Sequence, residues 1–359
     1  MGLQEFWFNL IAVLFVGYFV LEGFDFGVGM LFPVLGRTDT RRRVMLNTIG
    51  PVWDGNEVWL LVAGGATFAA FPEWYASLFS GFYLALLLIL VALIVRGLAF
   101  EYRGKIDSDR WRRNWDIAII AGSTVPALLW GVAFANIVQG VPLDENHEFT
   151  GTLLTLLNPY ALLGGLATLS LFALHGATFL ALKTHGDVRV RANALIPRIG
   201  VPAILLGGAF LVWTFFSNSV LWTGLPILVA AGALVAAVLV AIGGREGWAF
   251  LLTALAIVAV TVTLFGSLYP DVLPSSTNPA FSLTTTNASS TPYTLTIMSW
   301  VAVVFTPIVL AYQAWTFWVF RRRISPTDIP APTGLPAATT KPASDSVVDS
   351  ATDAGAHAR

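Results

Sequence analysis

The sequence predicts an all-α polytopic membrane protein of nine transmembrane helices, with its N-terminus outside and its C-terminus in the cytoplasm. Three observations carry this. Apolar residues make up 56% of the 359 residues and Asp, Glu, Lys and Arg only 11%, against about 25% charged residues in soluble domains. So few charges cannot cover a water-facing surface of this size, and most of the exterior must face lipid. Nine stretches supply the roughly 20 apolar residues of helix that a hydrocarbon core of about 30 Å demands. The basic residues fall in alternate connections only. The same composition excludes a soluble enzyme, a disordered scaffold and, at a net charge of −1 with no basic domain, a nucleic-acid binder. Cysteine is absent, which removes disulfides, thiolate metal sites and iron–sulfur clusters.

The spans run over 6–32, 52–71, 75–98, 116–138, 158–182, 199–217, 222–242, 247–268 and 294–319. The first is expected to be retained rather than cleaved as a signal peptide. No Lys or Arg precedes it, it carries Glu22 and Asp25, and it is followed by Arg37, Arg41, Arg42 and Arg43 in a stop-transfer pattern. Orientation follows from the cations. The connection after span 3 holds Arg103, Lys105, Arg110, Arg112 and Arg113, with Arg96 at the helix end before it. Lys183, Arg189, Arg191 and Arg198 follow span 5, Arg245 follows span 7, and Arg321, Arg322 and Arg323 follow span 9. The loops 72–75, 139–157, 218–222 and 269–293 hold none. The positive-inside rule places the first set in the cytoplasm, and nine crossings leave the two ends on opposite sides. The outer loop 269–293, rich in Ser, Thr, Pro and Asn, reads as an ordered lid or a flexible turn. From Ser325 the chain is rich in Pro, Ala, Thr and Ser without apolar periodicity, so the expected division is a membrane domain over 1–324 and a disordered cytoplasmic tail over 325–359.

Carboxylates inside a bilayer cost about 2.5–3.5 kcal/mol each on insertion scales and mark function by default. Here Glu22 and Asp25 in LEGFDFGVGM, and Asp54 and Glu57 in PVWDGNEVWL, form two i, i+3 pairs, each on one helix face. With spans 1 and 2 joined by an inner loop, a rise of about 1.5 Å per residue puts Asp54 about 6 Å deep, Glu57 about 10 Å, Asp25 about 15 Å and Glu22 about 20 Å from the cytoplasmic boundary. Packed as neighbours, the two helices would carry a ladder of acids toward mid-membrane. A low-dielectric medium favours the neutral form of a carboxyl, so such groups are suited to carrying protons. The alternative is that they pair with inner-loop arginines or a partner chain and fix packing. Asp54, at a helix start, also complements the helix dipole.

Of the four histidines only His175 lies within a span. One buried His cannot supply both axial ligands of a bis-ligated haem unless Met30 or Met298 joins it, and both methionines read as packing or helix-end residues. A lone His without a paired partner reads as hydrogen-bonded packing, so no metal centre is expected on this chain. Most of the 13 Trp and 25 Phe fit interfacial belts and lipid-facing packing, while Trp53 and Trp59 flank the acids. No nucleotide-binding or hydrolase motif sits in a usable context.

The runs GFDFGVGM, WDGNEVWL and GGATFAAFP, with RTDTRRRVMLNTIGP between them, resemble subunit II of the cytochrome bd quinol oxidases. FSGFY (79–83), EYRGKID (101–107), GVAFANIVQGVP (131–142), LNPYALLGG (157–165), the PSS, SLT and ASS of the outer loop, and MSWVAVVFTPIVLAYQAW (298–315) follow in the same order, so the likeness runs from about residue 3 to 324. The resemblance implies a two-subunit core in the bacterial cytoplasmic membrane that oxidises quinol and reduces O2 to water, generating a membrane potential. It places two b haems, one d haem and the quinol-oxidation site on the larger subunit I. It gives subunit II two four-helix bundles plus a peripheral helix, no haem, a role in assembly and in substrate routes toward haem d, and a structural quinone. Small accessory subunits are compatible with it. By position, Asp25 and Asp54 match acids associated with cytoplasmic proton delivery, and Glu22 a usually acidic position. Glu57 falls where relatives often carry Gln, and Trp59 where an apolar oxygen route begins. The connection between spans 6 and 7 is shorter than in some relatives, so their quinone seat does not carry over. Two other functions remain open to the residues alone: a purely structural partner subunit, and a proton-coupled transporter. The acids crowd toward one face and no pair of broken helices occupies matching halves, which counts against the transporter.

Overall fold

The computed structural model describes residues 2–218, 220–331 and 334–336. Twelve helices follow one another: α1 Leu3–Met30, α2 Phe32–Leu35, α3 Asp39–Ile49, α4 Trp53–Ala70, α5 Pro72–Gly81, α6 Tyr83–Tyr102, α7 Asp109–Gln139, α8 Pro159–Lys183, α9 Asp187–Asn218, α10 Gly224–Ile242, α11 Glu246–Leu268 and α12 Pro292–Val319. Four of their starts are written in the sequence as side chains that accept the free first-turn N–H groups. Thr38 caps α3 through Arg41 N, Ser108 caps α7 through Trp111 N, Asn158 caps α8 through Ala161 N, and Thr291 caps α12 through Thr294 N. α8 and α12 add a proline at the first helical position, where a missing N–H costs nothing. Gly140, at φ 87°, ends α7 in a conformation an L side chain rarely adopts.

Eight described helices are long and apolar enough to cross a membrane. The eighteen-residue α4 is not among them, because Asp54, Asn56 and Glu57 fall in its first turns. Span 3 of the sequence reading is also divided. The chain breaks at Phe82 between α5 and α6, where Phe149 of an outer loop packs into the notch left by Gly81; a Cβ there would lie 2.7 Å from Phe149 Cβ.

α1 sits at the centre, packed on α4, α7, α8 and α11. In its most apolar stretch 61% of residues are buried, against 6% in α12, which rests chiefly on α1 and α4. α1 crosses α8 closely at Gly27 and Gly176, where a Cβ on Gly27 would stand 2.6 Å from Gly176 Cα. Small residues permit such backbone approach, which in lipid replaces the missing hydrophobic drive with dispersion contact.

On the expected cytoplasmic side, ion pairs tie the connections together. Asp116 of α7 receives Arg42 and Arg103, each at 2.6 Å, and Arg103 reaches Asp39 at 2.8 Å. Burial works against the Arg103 charge, but its bonds to Asp116 and Asp39 more than offset this and hold the guanidinium protonated beyond its usual range. After α12, Ile324 bridges Thr184 and residues 326–328 make a short 3-10 turn. Leu335–Pro336 (β4) then lies parallel to Ile106–Asp107 (β1). Residues 337–359 of the expected tail lie outside the described residues. On the opposite side the segment 269–293 folds over the helix ends as an ordered cover, with Asp271–Leu273 (β2) against Leu283–Thr284 (β3), and Ser290 N bonded to Ala70 O at 2.8 Å.

Candidate functional site

The i, i+3 spacing of Glu22 and Asp25 on α1 turns both inward, and both side chains are fully buried. α6 delivers Arg96 to the same place, also without exposure. One of its nitrogens, Nη2, donates to Glu22 Oε1 and, at 2.6 Å, to Glu57 Oε1 on α4. The guanidinium lies 4.6 Å from the Phe26 ring centroid and 5.6 Å from that of Phe100, a cation–π setting that suits a weakly hydrated Arg. Gly122 lets α7 come up behind it, since a Cβ there would sit 2.6 Å from Arg96 Cβ. Three helices are thus pinned by one cation between two anions.

The second half of the site is a chain of amides. Asn56 of α4, fully buried, donates through Nδ2 to Asp25 Oδ2 at 2.7 Å. Its Oδ1 accepts from Gln313 Nε2 of α12 at 3.1 Å, and Gln313 Oε1 accepts from Trp59 Nε1 at 3.2 Å. The Trp59 ring lies flat on α1 at Gly17, where a Cβ would come within 2.8 Å of Trp59 Cδ2. Asp25 Oδ1 and Glu22 Oε2 accept from no protein donor, so each acid keeps one oxygen able to take a proton.

Asp54 stands apart from these four helices' interior. It is exposed on the first turn of α4, where Oδ1 accepts from Gly55 N at 2.7 Å. It lines a cavity of about 460 Å³ between α4 and α12 whose wall also includes Gln313, Tyr312 and Thr316. Glu57 is intermediate, with 24% of its side chain exposed.

The four acids therefore do not form an evenly stepped ladder. Glu22 and Glu57 share one nitrogen, so their carboxyl groups meet although axial rise alone set them about 10 Å apart. Arg96 is not a cation at the helix end. It lies inside the protein, and Glu22 and Glu57 pair with it rather than with inner-loop arginines, while Asp25 is held by the Asn56 amide. Sequence reasoning also missed Asn56 and Gln313. Arg96 was visible as a charge with LAF still to follow it, and Gln313 as the one amide in IVLAYQAW.

His175 is fully buried, with Nδ1 2.7 Å from Thr253 Oγ1 and Nε2 3.1 Å from Val20 O. Its ring stacks on Phe250 at 4.6 Å. Both nitrogens are occupied by protein partners, so neither points at a space for iron. Among the described residues, no group of three or more His, Asp and Glu stands together as metal ligands. An interior cavity between α1, α7, α8, α9, α10 and α11 has about 40 Å³, room for a few water-sized molecules and not for a quinone ring.

A multi-span helical protein with an acid–arginine–acid triad beside an amide-held carboxyl is a membrane protein that keeps ionisable groups inside its helical core. Its sequence matches the cytochrome bd terminal oxidase subunit II family over residues 3–320, and the chain belongs to that family. It is 40% identical over 330 residues to cytochrome bd ubiquinol oxidase subunit 2 of Bacillus subtilis, covering 90% of this chain and 97% of that one. With cytochrome bd-I ubiquinol oxidase subunit 2 of Escherichia coli K12 it shares 39% over 365 residues, covering 91% and 96%. The solved bd oxidase from Geobacillus thermodenitrificans superposes with a TM-score of 0.74 over 89% of this chain and 99% of that one; at 17% identity this shows a shared fold.

Proposed function

We propose that this chain, as subunit II of a cytochrome bd-type quinol oxidase complex, brings protons from the cytoplasm through Asp54 and Asp25 toward the site of O2 reduction. The observation that carries this is the position of Asp25. It is fully buried at the centre of the fold, yet one hydrogen-bonded amide pair separates it from the α4–α12 cavity in which Asp54 is exposed. A cavity of about 460 Å³ has room for a chain of water molecules between polar partners. Asp54 collects the proton at the cavity mouth, and Asp25 takes it on Oδ1 while Asn56 holds Oδ2. Glu57 and Glu22 are secondary members, since Arg96 engages an oxygen of each. Trp59, on the same helix, borders the apolar side of α4 as the start of an oxygen route.

In this reading α4 is the ninth crossing, with Asn56 and Glu57 of its first turns turned toward α1, α6 and α12, and the N-terminus lies outside the bacterial cytoplasmic membrane. The larger subunit I holds two b haems and one d haem, which supply electron transfer and O2 reduction; the engaged nitrogens of His175 support a haem-free role for this chain. Quinol and O2 are the substrates of the complex, lipid surrounds it, and the small interior cavity offers no seat for a structural quinone. Uptake of cytoplasmic protons, with quinol releasing its own outside, charges the membrane without a pump.

A second role has its own support. The Glu22–Arg96–Glu57 triad joins α1, α4 and α6, so these residues also hold the subunit together for assembly. Asp25→Asn and Asp54→Asn separate the two roles. The relay predicts a haem-loaded complex with oxygen consumption lowered about tenfold or more, as losing a proton-transfer group does. Loss of haem absorbance instead, or wild-type turnover, would remove Asp25 and Asp54 from the relay.

A further inference from the structure

Gln313 lies outside the acid cluster and carries no charge, yet it decides how the cluster is wired. Trp59 Nε1–H can only donate, so the atom of Gln313 that meets it at 3.2 Å is the carbonyl Oε1. That turns Gln313 Nε2 toward Asn56 at 3.1 Å, where it needs an acceptor, and so Asn56 presents Oδ1 to it. Asn56 Nδ2 is then left facing Asp25 Oδ2 at 2.7 Å and the Leu21 carbonyl at 3.5 Å, both of which can only accept or, in a carboxylate, do accept. A strict donor at one end and acceptors at the other orient both amides without ambiguity. Amide groups do not pass protons on at useful rates, so the chain holds Asp25 rather than conducting to it.

We infer that Gln313 is a positioning residue for Asp25: by fixing the Asn56 amide it keeps Oδ2 occupied and leaves Oδ1, which accepts from no protein donor, as the oxygen that takes the proton. This rests on the relay proposed above. It also makes α12, nearly free of the rest of the fold, a part of the proton site rather than a lipid-facing accessory. Gln313 itself lines the cavity, so a change in α12 position is felt directly at Asp25 through two hydrogen bonds. The other charged groups around Asp25 are Glu22 on its own helix, Glu57 on α4 and Arg96 on α6.

The test uses the assembled oxidase and redox-induced infrared difference spectra, with the carboxyl or carboxylate bands lost in Asp25→Asn taken as the Asp25 signal. Gln313→Leu removes both bonds. Gln313→Glu keeps the acceptor for Trp59 and removes the donor to Asn56, so it serves if the first variant assembles poorly. The expected result in either is a shifted Asp25 band and turnover lowered about two- to tenfold, the size of one neutral hydrogen bond, with the KM for quinol unchanged. An Asp25 band at its wild-type frequency overturns the inference. A shifted band in the Gln313 variants, with wild-type turnover in Asp25→Asn, would instead uphold the positioning and refute the relay. Absence of any Asp25 band refutes both.

Discussion

Asn56 and Asp25 meet across the α4–α1 contact at 2.7 Å, both without solvent exposure, and only one oxygen of the carboxyl is engaged. Asp25 differs from the neighbouring acids in its partner: an amide holds it, whereas Glu22 and Glu57 share a guanidinium. An orphaned buried oxygen costs about 1–3 kcal/mol, and Asp25 Oδ1 and Glu22 Oε2 both bear that cost.

Arg96 is the residue whose loss should damage the subunit most. Removing one partner of a buried ion pair costs about 3–5 kcal/mol, whereas replacing both by apolar groups is often neutral. Arg96→Leu is expected to reduce the yield of assembled complex severely, and Arg96→Leu combined with Glu22→Leu and Glu57→Leu to recover part of it. Haem content per milligram of membrane protein measures both. Equal yields in Arg96→Leu and wild type would contradict the triad's role.

At the α1–α8 crossing, Gly27→Val places a branched side chain where Gly176 Cα stands 2.6 Å from the first added carbon. Overpacking of this kind costs about 1–3 kcal/mol and more where backbone meets backbone. The thermal midpoint of the purified complex should fall, while Gly64→Ala, where a Cβ meets nothing within 4 Å, should leave it unchanged.

His175→Gln should leave every haem absorbance band of the complex intact, since both ring nitrogens already serve Thr253 and Val20. His175→Leu, which removes both of these hydrogen bonds at about 0.5–1.5 kcal/mol each, should lower stability by about 1–3 kcal/mol in thermal unfolding. A lost or shifted haem band in His175→Gln would show that this chain holds iron after all.

The absence of cysteine makes single-cysteine labelling clean. Ser276→Cys, in the cover over β2 and β3, should react with an impermeant maleimide added to intact cells. Asn47→Cys, exposed on α3, should react only once the cells are opened. The reverse pattern would invert the proposed orientation and with it the side of proton uptake.

Much of this was legible in the residues. Hydropathy located most helix ends to within a few positions, though α7 begins seven and α9 twelve residues before the stretches 116–138 and 199–217; the caps Thr38, Ser108, Asn158 and Thr291 mark four helix starts, and the i, i+3 pairs announced which helices carry the acids. What the sequence concealed are relations between distant segments. Arg96 reads as one more cytoplasmic cation because charge counting ignores which face of a helix a residue occupies, and its partners lie 74 and 39 positions away. Gln313 is silent because its role is set by Trp59 and Asn56, more than 250 residues earlier. Depth estimated from axial rise separated Glu22 from Glu57, and a shared nitrogen reunites them. The break at Phe82 depends on Phe149, which no local pattern discloses.

The most direct test of the central claim is the rate of proton uptake by the reconstituted oxidase during a single turnover with O2, measured in wild type and Asp25→Asn with matched haem spectra. The relay predicts uptake slowed about tenfold or more in the variant. Uptake at the wild-type rate, in a complex with its haems in place, would contradict it.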